Sequence, residues 1–75
     1  MDALAAVRSA LAHVMERPEG QFPPAGRLRD LGIDSIALVV TADVLEQEHP
    51  GWLLPDSALR DSVTVQDLAD GVVPR

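Results

Sequence analysis

The chain has 75 residues and no cysteine, so its core is small and it has neither a disulfide staple nor a thiolate for a metal site. Its 12 acidic residues against 6 arginines give a net charge of −6, which repels nucleic acid and anionic lipid and excludes a helix-turn-helix DNA binder. His13 and His49 lie far apart with no ligand spacing, and no apolar run approaches the roughly 20 residues that span a bilayer, so neither a structural metal nor a membrane partner is expected.

The opening stretch, "MDALAAVRSALAHVMERPEG", has an acid at position 2 and an arginine inside its apolar run. A signal peptide wants a basic start and an unbroken apolar centre, so the chain is expected to be cytoplasmic. Leu4, Val7, Leu11 and Val14 recur at intervals of three and four, which predicts a first helix over 2–16, capped by Asp2 and stopped by Pro18 and Gly20. Residues 17–33 carry Pro23, Pro24 and Gly26 and little periodicity, so they read as a long loop, with Leu28 and Leu31 as anchors onto the helices.

A second helix is predicted from Asp34 or Ser35 to His49, ended by Pro50 and Gly51. On a wheel, Leu38, Ala42 and Leu45 share one face, while Ile36, Val39 and Val40 fall on nearly the opposite side beside Asp43, Glu46 and Gln47. One face must enter the core, which leaves an apolar group outside, fringed by acids. "GWLLPDS" makes a turn into a short helix near 57–60. "TVQD" opens the last helix, over 65–73, with Thr64 as cap and Asp67 as the acid of a capping box. Trp52 is expected to pack. The expected interior is Leu4, Val7, Leu11, Leu28, Leu31, Leu38, Leu45, Leu54, Val65 and Leu68, and no strand is expected anywhere.

Residues 1–33 balance four acids with four arginines, whereas Asp34 to Asp70 holds eight acids and one arginine, Arg60. The acidic half begins beside Ser35, at the mouth of the second helix. As a nucleophile Ser35 would need a base and an oxyanion hole, and the chain has no G-x-S-x-G elbow and little room for a pocket, so no catalytic residue is assigned. As a cap, Asp34-Ser35 is unremarkable chemistry for a helix start. Capping is compatible with attachment, because a helix N-terminus stabilises a phosphate, and Gly32 allows the tight entry.

The segment "LRDLGIDSI" resembles the phosphopantetheine attachment motif of carrier proteins, Leu-Gly-x-Asp-Ser followed by Leu or Ile. Leu31, Gly32, Asp34, Ser35 and Ile36 all match, and Pro55-Asp56 and Thr64-Val65 look like family features, so the likeness covers nearly the whole chain. The resemblance implies an all-α fold: a four-helix bundle of acyl-carrier-protein type with a long loop between helices 1 and 2 and a short third helix, residues 1–75 forming one domain. It implies a covalent 4′-phosphopantetheine on Ser35, with Asp34, Gly32 and Ile36 around it, placed by a phosphopantetheinyl transferase from coenzyme A with a magnesium ion that Asp34 helps to position. The arm's thiol then carries acyl or aminoacyl cargo as a thioester. Such a carrier performs no chemistry and works as a monomer with an adenylating or acyl-transferring loading enzyme and downstream biosynthetic enzymes.

The chain departs from the pattern of fatty-acid carriers. Ala37 and Val40 stand where those carriers place docking acids, Thr41 where an apolar core residue is common, and His49 where Phe is frequent. Thr41 is expected to bond a carbonyl of its own helix, and His49 to favour the helix C-terminus. The turn "HPGWLLPD" is slightly long. These departures suit a freestanding carrier of a specialised pathway making a polyketide, a nonribosomal peptide or a modified amino acid. Partners are expected on Ile36, Val39 and Val40, with Asp43 and Glu46 at the rim. The rival reading is a small acidic helical interaction module without cofactor, which leaves "LGIDS" and the long loop unexplained.

Overall fold

The structure, a computed structural model, describes residues 2–75. Helix α1 spans Ala3–Met15, and its start is local chemistry: the Asp2 carboxylate accepts the Ala5 N–H at 2.7 Å. It ends before Pro18, because Glu16 takes a left-handed conformation (φ 54°) and its N–H closes back on Ala12. The buried face is Ala6, Val7, Ala10 and Leu11, with Leu4 only half-buried. The stripe is thus rotated from the expected one toward alanines, whose small side chains let α1 pack closely on its neighbours.

The loop after α1 contains one 3₁₀ turn, Glu19–Gln21, and is pinned by Phe22, Leu28 and Ile33, all buried. Leu31, expected inside, is half-buried. Arg17 lies 5.1 Å over the Phe22 ring and donates to the Leu31 carbonyl, and Arg8 donates to the Glu19 carbonyl at 3.0 Å. Leu28 N–H bonds the Val63 carbonyl at 2.9 Å, while Val65 and Gln66 donate to Gly26 at 3.0 Å and Pro24 at 2.9 Å. The loop is therefore stitched to the segment that opens the last helix.

Helix α2 spans Ser35–Glu48 and buries Leu38, Thr41, Ala42 and Leu45. Thr41 is wholly enclosed, and its hydroxyl donates to the Ala37 carbonyl at 2.7 Å, as expected. His49 closes the helix with its N–H on Leu45 and stacks its ring on Trp52, 4.7 Å between centroids. Trp52 is half-buried against the core. Helix α3 is Asp56–Asp61. Helix α4 is Val65–Asp70, with the Thr64–Asp67 capping box complete. Helix α1 packs on both α2 and α4, and α3 lies against α2 and α4.

The expectation of no strand is corrected. Trp52–Leu53 (β1) pairs antiparallel with Val73–Pro74 (β2), and Arg75 N–H reaches the Gly51 carbonyl at 2.8 Å. The last helix also ends at Asp70 rather than continuing to position 73. Gly71 sits so close to α3 that an added Cβ would lie 2.5 Å from the Ala58 Cβ, and the chain turns there to run beside the 52–53 segment. A two-residue pair has no periodicity to betray it. Apart from this pair and an isolated Arg27–Thr64 bridge, the regular structure is helical, as the all-α, four-helix expectation requires.

Candidate functional site

Asp34, extended at φ −89° and ψ −179°, is the cap of α2: its carboxylate accepts the Ala37 N–H at 2.8 Å. Gly32, at φ +77°, turns the loop into that position, a conformation that costs a residue with a Cβ. Ser35 is therefore the first helical residue and not the cap. Its side chain is exposed, and its hydroxyl has no hydrogen-bond partner among the described residues. The neighbouring N–H groups at the start of α2 present the positive end of a 14-residue helix.

Beside Ser35 opens a groove of about 750 Å³ between the long loop, α2 and α3. Leu28, Ile33, Leu38, Val39, Leu59 and Val63 form its apolar lining, so Val39 borders the groove as well as the outer face of α2. Arg27, Arg29 and Arg60 also line it, all three exposed, with Asp56 the one acid on its wall. Sequence reasoning missed this arrangement, which brings together three segments. The signal that was available is that Arg60 stands alone among the eight acids of the second half.

The chain matches the family described as the phosphopantetheine attachment site over residues 5–72. It belongs to that family. The members are non-catalytic carriers, so the chain is a carrier rather than an enzyme. It is similar to two curated proteins of Aspergillus fumigatus, nonribosomal peptide synthetase 5 of strain Af293 and nonribosomal peptide synthetase hasD of strain CEA10. Each is 37% identical over 73 residues, which is 97% of this chain but 3% of the relative. No solved structure matches significantly.

The family implies a phosphopantetheine prosthetic group, and the residues at the α2 entry fit one. A phosphodiester needs an accessible hydroxyl in a favourable field, and Ser35 offers a free, exposed one at a helix N-terminus. The carrier's outer face of α2 is also as the wheel placed it. Ile36 is 73% exposed, Val39 51% and Val40 42%, with Asp43 exposed beside them. Glu46 stands apart from this group. Its carboxylate accepts the Leu54 N–H at 3.1 Å and lies 3.4 Å from the Arg75 guanidinium, so it holds the β1 segment and the tail onto α2. Among the described residues no cluster of three or more potential ligands gathers for a metal ion, and no helix is long and apolar enough to cross a membrane.

Proposed function

We propose that Ser35 carries 4′-phosphopantetheine and that residues 1–75 act as one cytoplasmic, monomeric carrier unit in the assembly of a nonribosomal peptide, a polyketide or a related product. The observation that carries this reading is the division of labour at the α2 entry: Asp34 caps the helix and leaves the Ser35 hydroxyl free and exposed. The bound arm supplies a thiol that takes an acyl or aminoacyl group as a thioester. Gly32 sets the approach of the chain, Asp34 fixes the first turn of α2 and would help to position the magnesium ion that the transferase uses, and Ile36 lies next to the attachment point on the side open to partners. The synthetase relatives support an aminoacyl or peptidyl cargo.

A phosphopantetheinyl transferase, a loading enzyme and downstream synthetic enzymes are the partners. They grip Ile36, Val39 and Val40, with Asp43 at the rim and Glu46 holding the adjoining surface in place. The test is intact mass after incubation with coenzyme A, magnesium and a broad-specificity transferase. Wild type gains one phosphopantetheine and Ser35→Ala gains none. A gain that survives Ser35→Ala moves the arm to another serine. The exposed apolar face of α2 favours a second reading, an interaction module that never takes the arm, and an unchanged wild-type mass would support it.

A further inference from the structure

Six arginines serve this chain, and they divide into two sets. Arg8 and Arg17 donate to loop carbonyls, and Arg75 meets Glu46. Arg27, Arg29 and Arg60 have neither a hydrogen bond nor an ion pair from their side chains among the described residues, and these three line the groove beside Ser35. Acids outnumber arginines 12 to 6, so a surface guanidinium has carboxylates available, yet these three are left open around an apolar surface. Asp56 is the one acid there, so the groove's lining carries three positive charges against one negative on a molecule whose net charge is −6.

We propose that Arg27, Arg29 and Arg60 make this groove selective for a tethered cargo that ends in a carboxylate, its apolar body on Val39, Leu59 and Val63 and its anion among the guanidiniums. The inference rests on the reading that Ser35 holds the arm. An arm anchored at Ser35 starts on the wall of the groove itself, so an arm folded back along that wall lays its cargo over the apolar lining. The arm's own phosphate already has the positive end of α2, so the arginines are left for a second anion farther along. Apolar surface beneath a cationic rim matches a chain with a hydrocarbon body and a charged end. Each exposed guanidinium–carboxylate contact favours the docked form by roughly 2- to 5-fold, so three together discriminate against an uncharged terminus.

The experiment loads the apo protein, through a broad-specificity transferase, from coenzyme A, octanoyl-coenzyme A and suberoyl-coenzyme A, three arms that differ only in what the thiol carries. Intact mass, with Ser35→Ala as the control that gains none, first establishes loading on Ser35. Amide and arginine Nε–H resonances are then compared at low salt. The suberoyl form is expected to displace the Leu28, Leu59 and Val63 amides at least roughly 3-fold more than the octanoyl form, given the weight of one such contact. That excess collapses near ~1 M salt, where charges are screened within roughly 3 Å. The triple variant Arg27→Gln, Arg29→Gln, Arg60→Gln, its fold checked by its apo spectrum, is expected to treat both cargoes alike, and if it does not fold the salt series on wild type decides. Equal or larger displacement by octanoyl overturns the inference. So does the unloaded arm producing the full displacement, since the arginines would then hold the phosphodiester. An unchanged mass overturns both this inference and the attachment on which it rests.

Discussion

Asp34 and Ser35 are adjacent but carry different loads. The Asp34 carboxylate satisfies an N–H that the helix cannot pair internally, so Asp34→Ala is expected to lower stability by about 1 kcal/mol. Ser35 has no such bond, and Ser35→Ala is expected to stay within about 0.5 kcal/mol of wild type in urea unfolding while abolishing the mass gain. Asp67 gives a second residue-scale test. Backbone N–H donation from Val63, and then from Thr64, holds its carboxyl below the usual aspartate range, against a small opposing effect of burial. Folding therefore favours the ionised form. Its stabilisation is present above the unfolded value near ~3.9 and is lost as pH falls through the lower folded value. Asp67→Ala is expected to be less stable than wild type at neutral pH, and the gap in unfolding midpoint should narrow on acidification. Caps such as Asp2 and Thr64 were legible in the sequence because each acts within four residues of itself, whereas at α2 the sequence left Asp34 and Ser35 as alternatives and the structure decides for Asp34. Phe22 was not. It is wholly buried from a loop with no periodic neighbours, and only the packed molecule shows what it fills.

At the scale of the element, α2 has two working faces. Leu38, Thr41, Ala42 and Leu45 enter the core, and Ile36, Val39 and Val40 face solvent. Binding of a cognate loading enzyme is expected to weaken only modestly as salt rises, because apolar contact is not screened. Val40→Glu should weaken that binding strongly by placing an unpaired charge in the contact, with the carrier's own unfolding unchanged. Glu46→Ala is the contrasting variant. The Leu54 N–H loses its acceptor and Arg75 its partner, so stability should fall by roughly 1 kcal/mol, together with any loss in association rate. Titration of the loading enzyme against salt, for wild type and both variants, separates these outcomes. Steep salt dependence with a harmless Val40→Glu would assign docking to charge. The two faces were readable from a 3.6-residue period, but Glu46's inward bond was not, since it depends on a turn and a tail strand that carry no period of their own.

For the whole molecule, the fold class was legible because each of the four helices announces itself locally, by cap, stripe or breaker. The groove and its arginines were not, because they exist only where the long loop, α2 and α3 meet. The same long loop has a further consequence. Its backbone bonds run to residues that open α4, from Leu28 to Val63, Val65 to Gly26 and Gln66 to Pro24, with the Arg27–Thr64 bridge among them. All of these bonds join the same two short stretches, 24–28 and 63–66. Loop and α4 entry should behave as one opening unit. In native-state hydrogen exchange, the amides of Leu28, Val65 and Gln66 are expected to share a single protection free energy and to respond together to denaturant. Distinct values for the three would mean that the loop peels from the bundle in steps, and that the wall it gives the groove beside Ser35 loosens piece by piece.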